Sequence, residues 1–477
     1  MVVGFAQGLW LTSCAGRHVA QCSLNRVVGA WPLAVSRRGY GLRMALSSDE
    51  DHAAAVEEKK QRALTNPMPV VKLKKGKSKI FYDGNAIVLE GAIDCVLGPE
   101  SKLVPAAILP LVDHNFSVIG WGVYNPSSKF RFRILHHVIQ DGEFDISHQI
   151  DMVHTLTSKL KRSMQLRQTL KLPSEETDAF RLTNSEGDSI SGLIVDIYRN
   201  VAVVESSALW VEVHREQVER ALRATLQDDV EIFWRQSKDK LVQEGMSKEE
   251  LETGPNPSEA KQQMVKENCV EFEVALGAGS QKTGFFCDQR DNRARIAQLA
   301  EQKDVLDCFS YTGGFALHAA AHGAKSVTAV ESSTAALSVA QRNASRNSVN
   351  VDFKEADVFD FLKGAIENGQ KWDIVVIDPP KYAPTQKSLE RARRKYHGLN
   401  KRALSVTRSG GLLLSCSCSR AMTGSGKFED MIASAAQDAG KRVTFLATFG
   451  ASPDHPNHPS MPETKYLTAT LVAVFDT

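Results

Sequence analysis

The sequence predicts an α/β protein whose C-terminal half is a doubly wound sheet, preceded by a small β-barrel and a small α/β middle region. Three observations carry that expectation. Past residue 268, short apolar runs alternate with helical periodicity, the rhythm of a buried parallel sheet. Between 70 and 138 the apolar runs are shorter and closely punctuated by Gly, Asn and Pro, as in a small barrel. Two of the C-terminal runs end unusually, in Asp378-Pro379-Pro380-Lys381-Tyr382 and in Ser415-Cys416-Ser417-Cys418-Ser419. If those runs are neighbouring strands, an acid, a stiff loop and a thiol meet at one sheet edge.

Taken from the start, residues 1–48 hold Arg17, Arg26, Arg37, Arg38 and Arg43, several serines, and no Asp, Glu or Lys. Such composition is that of an organelle transit peptide, so a mitochondrial or plastid location is expected, with the cytoplasm as the alternative. Without those five arginines the 58 basic residues become 53 against 56 acidic, a formal charge of −3. Any nucleic-acid footprint must therefore be local. No apolar run reaches the roughly 18 residues of a membrane helix, and no membrane partner is expected. The eight cysteines form no Cys-x-x-Cys pair, which favours reduced thiols and no metal.

Residues 49–69, charged and closed by Asn66-Pro67-Met68-Pro69, read as a solvated linker. The barrel, 70–138, opens with Lys72, Lys74, Lys75, Lys77 and Lys79, and its last strand alternates Phe130, Phe132 and Ile134 with Arg131 and Arg133. Alternation puts both arginines on one face, where they could meet phosphates. In the middle region, 145–267, a helix over 146–172 precedes two strands at 193–198 and 201–205, a helix near 211–226 and a strand near 230–234. Its polar end, 236–267, reads as an insertion or loop. Within 268–477, strands are expected at 305–309, 326–331, 351–353, 374–377 and 411–415, with helices over 316–322, 335–347 and 359–366 between them.

Ligands of such sheets sit at the C-terminal strand ends. The first strand runs into Asp307-x-Phe309-x-Tyr311-Thr312-Gly313-Gly314, the second ends in Glu331, and Asp357 follows the third. A Gly-rich turn admits close backbone approach, Glu331 can accept both hydroxyls of a ribose, and Asp357 can accept from an adenine amino group. Acids after three strands, without the Gly-x-Gly-x-x-Gly pattern, suit a nucleoside cofactor lacking phosphates, S-adenosylmethionine. The run 277–283 imitates a phosphate-binding loop but has Gln281 where a glycine must stand. His455 and His458 lie among three prolines without a second ligand pair, so a structured loop over the site is expected there and no metal.

Pro379 and Pro380 stiffen the loop and remove two N–H groups, so Asp378 can address the polar edge of a base. Cytosine C5 is too weak a nucleophile to take a methyl group unaided; a thiolate adding to C6 would activate it. Cys418, just beyond its strand, is placed for that role. Cys95, Cys269 and Cys308 read as inert, buried small hydrophobes, and Cys287 as structural.

Together these residues resemble the PUA-domain-containing class I methyltransferases typified by the bacterial 23S ribosomal RNA cytosine-C5 methyltransferase. The likeness runs over about 70–475. It rests on Lys74-Lys75-Gly76-Lys77, on 122–128, on 181–196, on the Lys-Thr-Gly-Phe-Phe-Cys-Asp-Gln-Arg-Asp-Asn-Arg stretch at 282–293, and on the motifs quoted above with Asp454-His455-Pro456 ahead of the run 462–467. The resemblance implies that S-adenosylmethionine is held by Asp307, Phe309, Tyr311, Gly313, Glu331, Asp357 and Asp378 with help from Gln289 and Arg290. It also implies that Cys418, not Cys416, is the nucleophile, that the substrate is RNA of the ribosomal kind, and that monomer and homodimer are both open.

Two other readings stand beside it. One is an enzyme methylating a base amino group, which would place an aromatic directly after the prolines, where Lys381 stands here, and would need no cysteine. The other is a catalytically silent RNA-binding assembly factor, which absence of S-adenosylmethionine binding would favour. The cluster Arg391, Arg393, Arg394 and Lys395 fits a phosphate track or a solvated helix face equally.

Overall fold

A computed structural model describes residues 49–253, 261–277, 283–382 and 388–477. The expected transit peptide, the Gly254-Pro255-Asn256-Pro257 segment and most of the imitation phosphate loop lie outside them. Residues 54–477 pack as one unit.

The expected linker is helical over Asp49–Leu64. Its Ala, Glu, Lys, Gln and Arg residues are strong helix formers, which outweighs the charge that favoured a coil reading. Ala63 is buried against Val70, Val112 and Ile146. The turn after it is held by Asn66, whose Oδ1 accepts from Met68 N at 2.9 Å.

Six strands follow: β1 (Val70–Leu73), β2 (Ile87–Val88), β3 (Ile93–Leu97), β4 (Ala107–Val112), β5 (Val118–Tyr124) and β6 (Phe132–His137). They form one sheet in the order β2-β6-β5-β4-β1-β3, antiparallel except where β1 meets β4. Val71, Leu73, Phe81, Leu109, Leu111, Ile119, Phe132 and Ile134 fill its interior. At the β5–β6 irregularity only glycine fits: a Cβ on Gly122 would stand 1.9 Å from Arg133 O. The arginines of β6 do not offer a phosphate face. Arg133 is buried, pairing with Glu244 at 2.8 Å and donating to Ser191 Oγ at 2.7 Å, and Arg131 pairs with Glu90.

The helix Met152–Thr169, capped by Asp151, leads to β7 (Ala179–Asn184), β8 (Leu193–Tyr198), β9 (Val201–Ser206) and β10 (Glu231–Gln236). Their order is β10-β9-β8-β7, with β9 and β10 parallel across the helices Leu209–Val213 and Arg215–Arg223. The segment expected as polar loop carries helices Lys238–Gln243 and Lys248–Thr253, then a hairpin of β11 (Lys261–Glu267) and β12 (Val270–Leu276). The boundary drawn at 267/268 therefore cuts a hairpin at its turn. Polar faces hid the strands: β11 buries only Val265 and Glu267, while Phe272, Val274 and Leu276 of β12 join a core with Tyr198, Phe233, Phe285 and Leu317. The hairpin thus welds the middle sheet to the C-terminal one.

That last sheet has seven strands: β13 (Asp304–Cys308), β14 (Ser326–Glu331), β15 (Asp352–Glu355), β16 (Trp372–Ile377), β17 (Thr407–Ser417), β18 (Lys441–Phe449) and β19 (Thr468–Asp476). The order is β15-β14-β13-β16-β17-β19-β18. β13 to β17 run parallel, in keeping with the apolar runs of β13, β14, β16 and β17, while β19 is antiparallel to both neighbours. This antiparallel pair extends the expected sheet. The strand order reverses between β13 and β16, which makes the crevice there the ligand position.

Candidate active site

A cavity of about 1060 Å³ opens along the C-terminal ends of β13, β14, β16 and β17. Its floor is the turn from β13 into the helix Gly314–Ala321. Phe309, Tyr311 and Gly313 all take left-handed φ, at 63°, 50° and 89°. Two non-glycine residues in that region are a strain that functional loops carry. Gly313 is required: a Cβ there, already disfavoured by φ, would press within 3.1 Å of Leu317.

The acids around this turn take different places. Glu331 lines the cavity, with Oε2 accepting from Tyr311 N at 3.0 Å and Oε1 from Ser332 N and Ser333 N at 2.9 Å. Asp357 also lines it and caps the helix Val358–Glu367, accepting from Phe359 N at 2.8 Å. Asp307 does not reach the wall. It is buried beneath the turn, accepts from Ala316 N at 3.0 Å, and braces the loop from below. Burial pushes its carboxyl up to about 8, with the charges of Asp378 and Glu331 adding to the effect.

Asp378 leaves β16 into the two prolines and is aimed by Gln289, whose Nε2 donates to Oδ2 at 3.0 Å. Gln289 is itself fixed, its Oε1 accepting from Asn292 Nδ2 at 2.7 Å. Its role is therefore to orient the acid. Arg290, expected beside it at the cofactor, is turned away and grips Asp454 through two bonds of 3.0 and 2.8 Å. That carboxylate also accepts from Arg181 N, and its backbone O accepts from Arg167. Although burial opposes its charge, His455 and Arg290 hold Asp454 well below the usual carboxylate range. The Pro-rich loop is thus structured, but it forms a buried seam; Tyr466 and Leu467, further on, wall the cavity.

Cys418 stands one residue past β17, half-buried in the cavity, with Sγ 4.0 Å from Pro379 O. Cys416, still within β17, is fully buried among Val305, Ile374 and Ala469, where burial raises its thiol well above the ordinary range. The same holds for Cys287, packed beside Phe272, and Cys308 is buried as expected, whereas Cys95 on the edge strand β3 and Cys269 in the turn before β12 are exposed. Tyr382 lines the cavity too, but its ring is engaged by Tyr396 at 5.1 Å and by Lys395 Nζ at 5.0 Å.

Several cavity residues carried no signal in the sequence by themselves. Phe286 stands edge-on to Tyr311 at 5.4 Å, Tyr466 donates to Asp288 Oδ2 at 2.7 Å, and Phe359 and Arg235 complete the wall. The stretch 282–290 and the run ending at Leu467 were visible as motifs, yet the motif alone does not say which side chains turn inward. Arg235, on β10, shows that the middle region reaches the cavity. Among the described residues no group of three or more His, Cys, Asp or Glu could hold a metal ion.

The donor set fits S-adenosylmethionine: carboxylates at the second and third strand ends for ribose and adenine, a left-handed Gly turn for close approach, and acids for a cationic sulfonium. Comparisons with known proteins agree. Residues 191–467 match the S-adenosylmethionine-dependent methyltransferase family and residues 71–137 the PUA-like domain family. The ribosomal RNA large subunit methyltransferase I of Alteromonas mediterranea is 37% identical over 362 residues, spanning 75% of this chain and 87% of that protein. The Escherichia coli O1:K1 protein of the same name is 33% identical over 400 residues, 83% and 96% of the two chains. A candidate SAM-dependent methyltransferase from Streptococcus mutans shares the fold, with TM-score 0.67 at 21% identity over 84% of this chain and 99% of that one. A second solved chain of the same fold, a candidate methyltransferase complexed with SAH, gives the same TM-score and identity over 84% and 98%. The chain belongs to the S-adenosylmethionine-dependent methyltransferase family, in a form that carries a PUA-like domain ahead of the catalytic sheet.

Proposed function

We propose that this enzyme methylates C5 of a cytosine in large-subunit ribosomal RNA through a covalent adduct on Cys418. The observation that carries the reading is the position of Cys418: a half-buried thiol in the same cavity as the cofactor turn and Asp378, against the Pro379 carbonyl. The names of the two bacterial relatives supply the RNA, and the PUA-like domain is consistent with it.

When bound, S-adenosylmethionine supplies an electrophilic methyl group. Cys418, as thiolate, attacks C6 of the cytosine, forming the S–C6 bond and moving the C5–C6 electron pair onto C5, which takes the methyl. A base then removes the C5 proton; the released pair restores the double bond and expels the thiolate. Asp378, oriented by Gln289, accepts from the cytosine amino group and holds the ring. The stiff Pro379-Pro380 backbone keeps thiol and acid in register.

Amino-group methylation fits less well. The residue after the prolines is Lys381, and the ring of Tyr382 is already engaged by Lys395 and Tyr396, so it is not a free platform for a base. Nucleoside mass spectrometry of ribosomal RNA treated with enzyme and cofactor decides between them: 5-methylcytidine is expected, and an amino-methylated nucleoside overturns the reading. We extend the reading to location, residues 1–48 addressing the chain to a mitochondrion or plastid. Imaging a fluorescent fusion with and without that segment tests it; an unchanged distribution overturns it.

A further inference from the structure

Three cationic side chains from three separate elements line the cavity, Arg235, Lys381 and Lys395, and two more, Lys240 and Arg420, stand close enough to Lys381 to act on its charge. Arg235 comes from the end of β10 and lines the wall; Lys240 comes from the helix Lys238–Gln243; Lys381 and Lys395 line the wall from the loop after β16 and the helix Leu389–Val406; Arg420 opens the helix Arg420–Ser425 beside Cys418. Lys240, Lys395 and Arg420 are exposed. Arg235 and Lys240 share one carboxylate, Glu205, at 3.9 and 3.5 Å. The ammonium of Lys381 is disfavoured by its partial burial and by the charges of Arg420 and Lys240.

Like charges gathered from two structural regions cost stability unless an anion is brought among them. A solvated helix face would draw its cations from one element; these come from both sides of a crevice, flanking the thiol.

We propose that Arg235, Lys240, Lys381, Lys395 and Arg420 form a phosphate clasp that holds the single-stranded RNA backbone on either side of the target nucleotide, closing the middle region onto the catalytic one. This rests on the RNA reading above. Phosphate contacts fix register without reading sequence, so the clasp positions the nucleotide while the cavity selects the base. Lys240 and Arg420 are its cleanest reporters, because neither touches the proposed chemistry.

The test titrates the full-length protein and its Lys240→Gln and Arg420→Gln variants with a fluorescein-labelled single-stranded oligoribonucleotide at several salt concentrations. Lys60→Gln, on the N-terminal helix, is the control. Each clasp variant is expected to lower affinity about three- to tenfold and to reduce the slope of log affinity against log salt by about 0.7, with S-adenosylmethionine affinity by calorimetry unchanged. Wild-type RNA binding with unaltered slopes in both variants overturns the clasp alone, as does a loss confined to cofactor affinity. No RNA binding by the wild-type protein overturns the RNA reading and the clasp with it.

Discussion

Charges at the seams of this molecule and charges at its cavity are arranged on opposite principles. At the seams every arginine meets a carboxylate across a short, often forked contact: Arg181 with Asp196 at 2.8 Å, Arg290 with Asp454 at 2.8 and 3.0 Å, Arg293 with Glu267 at 2.6 and 2.7 Å. At the cavity like charges gather instead, with Asp307, Asp378 and Glu331 on the cofactor side and Lys381, Lys240 and Arg420 at the mouth. Buried pairs of opposite sign satisfy each other and hold regions together. Clusters of one sign keep a mutual repulsion that a ligand of opposite charge relieves. The contrast separates structural from functional ionisable groups.

Breaking a seam should cost most in stability. Arg290→Ala leaves Asp454 buried and charged, and removal of one partner of such a pair costs about 3–5 kcal/mol. A fall in thermal midpoint of several degrees is expected in differential scanning calorimetry, and an unshifted midpoint would contradict the assignment of Arg290 to the seam rather than to the cofactor.

Asp307 tests the other side of the comparison through pH. Its native carboxyl titrates near 8 against an ordinary 3.8, so between those values the native state holds a proton that the unfolded chain releases. Its contribution is thus complete below about 4 and is lost as pH rises through about 8. Asp307→Asn cannot ionise, so the ligand-free variant should lose less stability than the wild type between pH 5 and pH 9, the difference being on the order of a few kcal/mol. Parallel stability curves would show that no strained carboxyl lies under the turn.

Smaller effects discriminate positioning from packing. Gln289→Ala should lower kcat about tenfold with little change in melting temperature, since one oriented hydrogen bond to Asp378 is lost, worth about 1.4 kcal/mol. Restored rate in Gln289→Asn would argue against an orienting role that depends on reach. Cys416→Ser should cost about 1–2 kcal/mol of stability by burying a hydroxyl among apolar side chains, with turnover retained. Loss of turnover in a folded Cys416→Ser protein would make that thiol more than a core residue.

How much of this was legible in the sequence follows the same division. Strands β13, β14, β16 and β17 were visible because burial on both faces gives each an apolar run, whereas β15 reads Asp-Phe-Lys-Glu and showed mainly by its place between two helices. The hairpin β11–β12 was not, since one of its strands reads Lys-Gln-Gln-Met-Val-Lys-Glu and buries two side chains. Glu331, Asp357, Asp378 and Cys418 could be found because each ends a strand or follows its end within two residues, and strand ends are where such sheets bind ligands. Arg290 and Arg133 misled because an arginine in a motif looks the same whether it meets a phosphate or a carboxylate 160 residues away. Arg235 carried no signal at all: its place at the cavity is set by how the middle sheet packs, which only long-range contacts decide.

The thiol is where the account is most exposed. RNA containing 5-fluorocytidine, incubated with enzyme and S-adenosylmethionine and run on a denaturing gel, traps the adduct because the fluorine blocks the final elimination. Wild-type protein and Cys416→Ser are predicted to form a covalent protein–RNA band that Cys418→Ser cannot form. An adduct in the Cys418→Ser protein, or methyl transfer to natural RNA that survives Cys418→Ala, would contradict the covalent mechanism at its centre.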